Sequence, residues 1–478
     1  MIDLRPVLQI VGSVLCLLAA AMLVPALTDA AVGEPEWQVF VASASVTVFI
    51  GMVLVLGARS PAAVLSIRQA FLATVLGWAV PCLFAALPFA FGPLALAPAD
   101  ALFEAASGIT ATGSTVIAGL DRLPPGILVW RALLQWLGGL AFIVMAVAVL
   151  PALNVGGMQM FRIEILSAHE RAARFAGAIV ALYVGLTAVL LFLLLLAGMP
   201  AFDAMVHAMS TIATGGFSTS DGSAGSFDSA AIEVVLMLGM IAGGMPILLF
   251  FQVVHGNWRG LLKDEQVRWY LGLLFLGTAA LSLWLARAKG LAAAEALRTG
   301  AFTAISAMTG TGLYTVDYSE WTGMPVAVLF FLTFVGGCSG STAGGVKVFR
   351  LKMLFANALV QVRRLMRPHA ILIPTFNRKP ISEEVLGSVM GFLFVYALSF
   401  ALLAMALAFL GVDLMTALSG AASAIANKGG GLGQAIGPAG TYAPLPDAAK
   451  YLLSAGMLFG RLELFTVLVL FVPGFWKQ

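Results

Sequence analysis

The sequence is short of charged residues and contains few cysteines and histidines. Only 10% of its 478 residues are charged, whereas soluble domains carry about 25%, so a water-soluble globular fold is excluded. Three widely separated cysteines in apolar surroundings imply neither a disulfide framework nor a zinc site. The net charge of +3 comes without a basic stripe of the kind that binds nucleic acid. With 61% hydrophobic residues, the chain is predicted to be a polytopic membrane protein.

Ten segments are apolar and long enough to cross a bilayer as helices, which takes about 20 residues. They comprise residues 7–27, 37–57, 70–91, 128–150, 176–196, 232–254, 269–286, 324–348, 385–410 and 451–472. The first has spanning length rather than the features of a cleavable signal peptide. We therefore predict an all-α protein with about ten transmembrane helices.

Basic residues are concentrated in alternate connections between the predicted spans. They cluster in residues 58–69, 153–175, 255–268 and 349–384, whereas the opposite connections carry mostly acids. Because Lys and Arg favour the cytoplasmic side of a membrane, the N-terminus is predicted to be cytoplasmic. The basic stretch 347–379 is also suited to contact with anionic lipid.

Four shorter apolar segments lie between these spans and form an internal repeat. Residues 99–109, 201–212, 292–308 and 414–426 are too short to cross the bilayer, and each ends in a run rich in small polar residues and Gly. Aligned on a shared serine, the runs read SGITATGST, STIATGGFS, SAMTGTGLY and SAIANKGGG, from Ser107, Ser210, Ser306 and Ser423. The residue six positions after the serine is a glycine in each run: Gly113, Gly216, Gly312 and Gly429. This periodicity predicts four units of span, short helix, turn and span.

A membrane restricts what such a repeat can form. Non-helical backbone is tolerated at membrane depth only when it is buried in protein or lines a water-filled cavity. Four re-entrant turns around one axis can aim backbone carbonyls at a dehydrated cation, and glycine permits the left-handed conformations this needs. Glu104 is expected to add negative charge near the outer mouth. We therefore predict a central cation pore, with ordinary Gly/Thr connections as the alternative.

At four places the sequence resembles the membrane subunit of Trk-type potassium uptake systems, within the Trk/Ktr/HKT superfamily. The resemblance is carried by FEAASGITATGST from Phe103, ATGGFS from Ala213, GGCSGSTAGGVK from Gly336 and GRLELFTVLVLF from Gly460. It implies four membrane–pore–membrane repeats with re-entrant pore helices in a pseudo-fourfold arrangement, preceded by two extra helices. The corresponding divisions are residues 1–60 for the extra helices and 61–155, 156–260, 261–365 and 366–478 for the repeats.

The resemblance implies K⁺ as the transported ion and assigns it to a selectivity filter of backbone carbonyls. The filter residues implied are Ala111, Thr112, Gly113, Thr214, Gly215, Gly216, Gly310, Thr311, Gly312, Asn427, Lys428 and Gly429. The resemblance further implies a gating loop at residues 336–345, inside the eighth predicted span. The gating residues implied are Gly336, Gly337, Gly340, Gly344, Gly345 and Arg461.

The resemblance also implies partners and a location. Family members are homodimers in the bacterial inner membrane, and they bind a cytosolic regulatory subunit of the RCK/KTN type that responds to NAD or ATP. No enzymatic activity, organic cofactor or nucleic-acid partner is expected for this chain. Coupling of K⁺ uptake to another ion, as in symport, stays open.

One filter position departs from the pattern of the family. Lys428 stands where an apolar residue is usual, and Gly430 stands where the family has a proline. Because an unpaired buried charge is costly in a membrane, Lys428 is expected to point outward, to a buried acid or to water. The alternative is a lysine that weakens or tunes cation binding, as in a less selective Na⁺/K⁺ transporter.

Two other classes of protein account less well for the sequence. GCSG at residues 337–340 matches the G-x-S-G of rhomboid-like intramembrane serine proteases. A serine nucleophile needs a base, and none of the four histidines is well placed for that role. A carrier with alternating access often shows inverted or paired repeats, whereas all four repeats here are predicted to enter from one side.

Overall fold

The computed structural model describes residues 2–59, 65–149, 157, 169–370 and 372–477. Two long helices come first, α1 (Arg5–Val32) and α2 (Trp37–Gly57), and they pack against each other. Their backbones come close where a Cβ atom on Gly12 would lie 2.7 Å from the carbonyl oxygen of Gly51. Small residues of this kind let membrane helices approach each other closely.

Four repeats follow, and each contains a long helix, a short helix and a returning helix. The first repeat consists of α3 (Ile67–Ala85), α4 (Leu87–Phe91), α5 (Pro98–Ile109) and α6 (Pro125–Val144). A π-helical turn, Met145–Val149, extends α6. The second repeat consists of α7 (His169–Leu196), α8 (Ala201–Ile212), α9 (Ala230–Gly243) and α10 (Ile247–Val254).

The third repeat is preceded by the short helix α11 (Trp258–Lys263). It consists of α12 (Glu265–Ala288), α13 (Ala293–Thr309), α14 (Met324–Val335) and α15 (Val348–Met366). An antiparallel pair of two-residue strands, β1 (Thr375–Phe376) and β2 (Lys379–Pro380), leads to the fourth repeat. That repeat consists of α16 (Glu383–Phe409), α17 (Leu414–Ala426), α18 (Asp447–Arg461), α19 (Phe465–Leu468) and α20 (Pro473–Trp476).

The short helices α5, α8, α13 and α17 agree with the four predicted short segments to within one residue at each end. Each has an acid at its start. Asp100, Asp203 and Glu295 lie in the first turns, and the Asp413 carboxylate accepts the Thr416 N–H at 3.0 Å. These acids complement the positive ends of the helix dipoles. The prediction of four short helices between the spans is confirmed.

Seven helical stretches of the described chain are long and apolar enough to cross a membrane. Two bent helix pairs bring the number within the described residues to as many as nine. The pairs are α9 with α10, bent by 103°, and α18 with the stretch Phe465–Phe471, bent by 104°. The structure therefore confirms an all-α polytopic membrane protein.

Three of the ten predicted spans are not continuous helices. They are residues 232–254, 324–348 and 451–472. The break in the second agrees with the loop implied at residues 336–345, whereas the prediction of a continuous span was wrong for the other two. In the first, Pro246 lacks a backbone N–H and separates α9 from α10. In the second, α14 ends at Val335 and Gly336 turns the chain with a φ of 75°. In the third, Glu463 and Leu464 have φ values of 59° and 30°, which an α-helix does not allow.

Two of the four predicted boundaries of the repeats fall within the described residues. Those at 60/61 and 155/156 lie outside the described residues, as does most of the basic segment 153–175. The boundary at 260/261 falls within α11, and the one at 365/366 falls at the end of α15. The division into repeats stays a prediction at this level of detail.

Candidate functional site

The turns that follow the four short helices meet in a closed ring, formed by residues 111–113, 214–216, 310–312 and 427–429. A Cβ atom added to Gly113 or Gly216 would overlap a backbone carbonyl of the next segment. One added to Gly312 would lie 2.9 Å from the Cα of Gly429, and one added to Gly429 would lie 3.0 Å from the carbonyl oxygen of Thr112. Each segment therefore contacts the next in chain order, and the fourth returns to the first.

Left-handed backbone recurs at equivalent positions of the ring. The residue two places before the shared glycine has a positive φ in every segment: Ala111 at 52°, Thr214 at 52°, Gly310 at 82° and Asn427 at 50°. The shared glycine is also left-handed in the first three: Gly113 at 88°, Gly216 at 81° and Gly312 at 79°. In the fourth segment the left-handed glycine is Gly430 rather than Gly429. The ring is therefore only approximately fourfold, and the fourth segment is the exception.

Polar side chains of the ring are buried in the surrounding protein and bonded there. Thr112 Oγ1 lies 2.7 Å from Thr110 Oγ1, and Thr311 Oγ1 lies 2.8 Å from Thr309 Oγ1. Asn427 Nδ2 donates to Thr112 Oγ1 at 3.1 Å. Because these side chains find partners within the protein, the backbone carbonyls are the groups that the ring can offer to an ion.

A cavity of about 290 Å³ opens on one side of the ring. Its wall includes a glycine from or next to each segment: Gly113, Gly216, Gly312 and Gly430. Tyr314 also lines the cavity, and its hydroxyl donates to the carbonyl of Asp221. Burial, with smaller contributions from the charges of Asp221 and Asp317, raises the pKa of Tyr314 to about 12. The tyrosine is therefore protonated at neutral pH and keeps this donor role.

Glu104 does not add free negative charge to the outer mouth, and that expectation was wrong. Its carboxylate forms a buried salt bridge with Arg131 Nε at 2.8 Å. It also accepts the Val116 N–H at 3.0 Å and the Thr115 hydroxyl at 2.9 Å, while Arg131 donates to the Ser218 carbonyl at 3.3 Å. The pair thus connects the residues that follow the first ring segment, Thr115 and Val116, to Ser218, which follows the second ring segment. Arg131 lies inside a predicted span, where a charge usually faces the protein interior, and this signal could have identified it.

Breaking the Glu104–Arg131 pair should destabilise the protein. We expect Glu104→Gln to lower the free energy of unfolding by about 3–5 kcal/mol, because the buried guanidinium loses its counter-charge. The double variant Glu104→Gln with Arg131→Met should recover part of this loss, since it leaves no buried charge. Thermal unfolding of the detergent-solubilised protein measures both effects. An equal loss in the single and double variants would contradict the role given to the pair.

The central loop, residues 336–345, joins α14 to α15 on the side of the ring opposite the cavity. Thr342 Oγ1 donates at 2.9 Å to the carbonyl of Ile212, the last residue of α8. A Cβ atom on Gly344 would overlap the carbonyl of Ala426, the last residue of α17. Ile212 and Ala426 precede the ring in the chain, whereas the cavity is lined by residues that follow it. The loop therefore packs against the ends of two short helices, α8 and α17, on the side of the ring opposite the cavity, which we call below the ring.

Glycines give the central loop its shape. The three with positive φ values are Gly336 at 75°, Gly340 at 72° and Gly345 at 81°. Gly337 permits close packing, because a Cβ atom there would lie 2.9 Å from the carbonyl oxygen of Gly244. The chain then returns to α14, where the Val346 N–H donates to the Phe334 carbonyl at 2.9 Å. Both ends of the loop are thus fastened to the end of α14.

Arg461 contacts the central loop from the last repeat. Its Nη1 donates to the Thr342 carbonyl at 2.9 Å, and its guanidinium lies 4.0 Å from the centre of the Phe142 ring. Its Nε and Nη2 have no hydrogen-bond partner within the described part of the chain. The structure thus brings Arg461 and the loop glycines together on one side of the ring.

Sequence reasoning did not place the other charged groups, Lys347, Arg350 and Glu463, beside the loop. Lys347 Nζ donates to the Ala343 carbonyl, and Arg350 Nη2 forms a salt bridge with Glu463 at 2.6 Å. All of these charged side chains are buried. Each lies in or next to a predicted span, where a charge marks the protein interior or an ion pathway. That position was the signal available in the sequence, as it was for Arg131.

Four re-entrant backbone turns that meet in a ring, within a polytopic helical protein, define a pore-type ion transport protein. The central loop across one side of the ring is compatible with a pore that closes. The chain belongs to the TrkH family of cation transport proteins, whose family model matches residues 36–477.

Known proteins of this family resemble the chain over nearly its whole length. The Trk system potassium uptake protein TrkI of Halomonas elongata is 40% identical, covering 99% of this chain and 97% of its own. The Trk system potassium uptake protein TrkH of Escherichia coli K12 is 36% identical over 99% of both chains. The crystal structure of the potassium transporter TrkH from Vibrio parahaemolyticus matches with a TM-score of 0.93, at 34% identity and over 100% of both chains.

Proposed function

We propose that the protein takes up K⁺ across a bacterial inner membrane, with the ring as its selectivity filter. The observation that carries this proposal is the closed contact of four backbone segments, whose polar side chains are buried and bonded elsewhere. Relatives named as potassium uptake proteins support the choice of K⁺. Transport of this kind needs no covalent chemistry and no organic cofactor on this chain.

Removal of water from the ion is the step that the ring makes possible. Carbonyl oxygens can replace the hydration shell of K⁺. The C-terminal ends of α5, α8, α13 and α17 lie at the ring, and their partial negative charge favours a cation there. Partial charges of this kind attract a cation without the tight binding that a ring of carboxylates would produce. The ion can therefore enter the filter and leave it.

The central loop is the gate in this proposal. It lies below the ring, and Arg461 places a buried guanidinium against it. A fixed positive charge at this point opposes the passage of K⁺. Opening requires the loop to release hydrogen bonds such as those of Thr342 to Ile212 and to Arg461. Each such bond contributes only about 1 kcal/mol net, so a modest input of free energy can move the loop.

Control of the gate comes from the cytoplasm, through α15. This helix follows the loop directly and carries Arg363 and Arg364 in its last turn, next to the strongly exposed Leu365. A basic and apolar surface suits a soluble regulatory subunit of the RCK/KTN type, responsive to NAD or ATP, with anionic lipid as a second contact. The N-termini are cytoplasmic in this proposal, because the basic residues favour that orientation. The proposal also includes a homodimer, which the resemblance to the family implies.

An intramembrane serine protease is less well supported than a transporter. His207 Nε2 lies 3.1 Å from Ser218 Oγ, and its Nδ1 lies 2.8 Å from the Asp203 carbonyl. His255 Nδ1 lies 2.8 Å from the Phe251 carbonyl. The partners found for these imidazoles are Ser218 and two backbone carbonyls, not the serine of GCSG at residues 337–340. The relatives also carry the names of transport proteins.

Rubidium uptake by bacteria that lack their own K⁺ uptake systems tests the proposed function. With the regulatory subunit present, we expect Rb⁺ influx that excess Na⁺ inhibits little. Equal entry of Rb⁺ and Na⁺ would indicate a less selective transporter. Absence of influx, with the protein verified in the membrane, would contradict the proposal.

Gly312→Ser should make the same influx more sensitive to Na⁺. A Cβ atom at this position would lie 2.9 Å from the Cα of Gly429, so the third and fourth ring segments must move apart. A wider ring discriminates less well between the two ions. Inhibition of Rb⁺ influx by Na⁺ measures the change, and unaltered inhibition would show that Gly312 does not shape the filter.

A further inference from the structure

Lys428 is the one charged residue of the ring, and its side chain leaves the ring instead of entering it. The side chain is 2% exposed and runs between α13 and α14. Its Nζ donates to the carbonyls of Ala307 at 3.0 Å, Met308 at 2.9 Å and Leu332 at 2.7 Å. No salt bridge joins it to an acid anywhere in the described ranges. The expectation of an outward lysine agrees with this placement, but the expected acid or water is replaced by three carbonyls.

The three carbonyls belong to helix ends, which explains why a buried ammonium is tolerated there. Ala307 and Met308 lie in the last turn of α13, and Leu332 lies in the last turn of α14. Carbonyls in a last turn lack partners within the helix and carry the negative end of its dipole. A protonated lysine has three donors, one for each of these acceptors. The ammonium is therefore a fixed cation in a second carbonyl site, behind the ring.

The backbone of Lys428 is held as firmly as its side chain. Its N–H donates to the Ser423 carbonyl at 3.0 Å, and its own carbonyl accepts the Ser423 hydroxyl. The next residue, Gly429, donates its N–H to the Gly310 carbonyl at 3.4 Å. Gly310 also leaves room for the lysine, because a Cβ atom there would lie 2.7 Å from Lys428 Cγ. Lys428 thus fixes the third and fourth ring segments relative to each other.

The third carbonyl connects this arrangement to the central loop. Leu332 lies three residues before Val335, where α14 ends and the loop begins. The chain that returns from the loop is bonded to the same helix end, since Lys347 N–H donates to the Val335 carbonyl at 3.1 Å. Movement of the loop therefore acts on the last turn of α14, and through Leu332 on the ammonium of Lys428.

We propose that Lys428 is a positioning residue that links the central loop to the ring, so that the state of the loop changes ion selectivity. The inference is based on one ammonium group that bonds both to the end of α13 and to the end of α14, where the central loop begins. The inference rests on the proposed function, because it takes the ring as the filter and the loop as the gate. Its consequence is that displacement of Leu332 from the position seen here changes how well the filter discriminates between ions.

A double-mutant cycle tests the link. Arg461→Gln removes the charged contact to the loop, and Lys428→Met removes the ammonium while keeping a side chain of similar length. Only about 20 Å³ of cavity remains beside Lys428, so a larger replacement would not fit. The quantity measured is the inhibition of Rb⁺ influx by Na⁺ in the unaltered protein, both single variants and the double variant.

When Lys428 is present, we expect Arg461→Gln to change the inhibition of Rb⁺ influx by Na⁺ about fivefold or more. A change of about fivefold is at the lower end of the coupling usually found between two sites. In the Lys428→Met background, Arg461→Gln should change it little. Independent, multiplicative effects of the two substitutions would overturn the link. If the unaltered protein shows no selective influx, the proposed function itself fails, which is a different result.

Lys450→Met is the matched control for the cycle. Lys450 is also buried, but its Nζ pairs with Asp100 and with Asp447 at the other end of α18. Its removal should leave the effect of Arg461→Gln on selectivity unaltered. If Lys428→Met does not reach the membrane, Lys428→Gln replaces it in the cycle. That variant retains a donor amide but is shorter, and the same loss of coupling is expected.

Discussion

Gly216→Ala should abolish most of the selective ion uptake. The φ of 81° at Gly216 costs an alanine about 1–2 kcal/mol. The new Cβ would also overlap the carbonyl of Thr311, which must then shift. That carbonyl is among the groups proposed to replace the hydration shell of the ion. We expect Rb⁺ influx to fall about tenfold or more, equivalent to a barrier raised by about 1.4 kcal/mol.

Gly198→Ala separates the two causes of this loss. Gly198 has a φ of 93°, but no atom of the described structure lies within 4 Å of an added Cβ. The variant therefore carries the same backbone strain without an overlap, and it should retain most of the influx. An equal loss in Gly198→Ala and Gly216→Ala would assign the effect to strain and not to the ring.

Gly429→Ala is expected to have a smaller effect than Gly216→Ala. Gly429 is not left-handed, and an added Cβ would lie 3.0 Å from the Thr112 carbonyl oxygen instead of overlapping it. The ordering of the two variants tests whether the fourth segment departs from fourfold symmetry in the membrane as it does in the structure. A larger loss for Gly429→Ala would contradict that asymmetry.

The short helices could be predicted because several local signals coincide in each of them. Each is apolar, too short to span, has an acid at its start and is followed by a turn with glycine six residues after a serine. Steric rules for glycine and the rules for backbone at membrane depth then leave few arrangements for four such units. The structure agrees with the predicted segments to within one residue.

Hydropathy predicts none of the three breaks in the spans, and only the one at residues 336–345 was implied by the resemblance. The stretch that contains Glu463 and Leu464 reads as a continuous apolar helix, because a window of mean hydropathy is insensitive to one reversed φ. Pro246 was a visible signal, since proline interrupts helices, yet prolines also occur within membrane helices such as α1, which contains Pro25. Packing against the central loop is what distinguishes Pro246, where the helix breaks, from Pro25, where it continues. Such packing depends on the whole fold and not on the local sequence.

The partners of Lys428 show a second limit of sequence reasoning. An acid was expected because charges in membranes commonly pair with opposite charges. Helix C-termini can serve the same purpose, since their last carbonyls lack partners and are partly negative. Ala307 and Leu332 carry no polar side chain, so their residue types do not indicate that they bind the ammonium of Lys428. Contacts made by backbone atoms of distant helices are invisible in a residue pattern.

The charges below the ring bear on how the proposed gate would be held closed. Arg350 forms a salt bridge with Glu463, whereas Arg461 and Lys347 donate to the backbone carbonyls of Thr342 and Ala343. Arg350 and Glu463 bind each other, so the charge that remains beside the loop is positive. In the proposed mechanism, a cation leaving the ring meets this charge while the loop is in place. Electrostatic repulsion of the cation and steric blockage by the loop would therefore both oppose ion passage.

Arg461→Gln should raise ion flux when the regulatory subunit is absent. At an effective dielectric constant of 20, a unit charge about 4 Å from a K⁺ ion opposes it by about 4 kcal/mol. Glutamine removes the charge and shortens the side chain, so the hydrogen bond from Arg461 to the Thr342 carbonyl is also lost. We expect basal Rb⁺ influx to rise about tenfold or more.

Arg461→Lys distinguishes charge from hydrogen bonding in this effect. Lysine keeps the positive charge, but its single ammonium cannot reproduce the planar guanidinium that lies over the Phe142 ring and bonds to the loop. If charge holds the gate closed, Arg461→Lys stays close to the unaltered protein and Arg461→Gln alone opens it. If the contact to Thr342 holds it, both variants leak to a similar extent. Basal influx unchanged in both variants would show that Arg461 plays no part in closing the pore, because neither its charge nor its contact would then limit the flux.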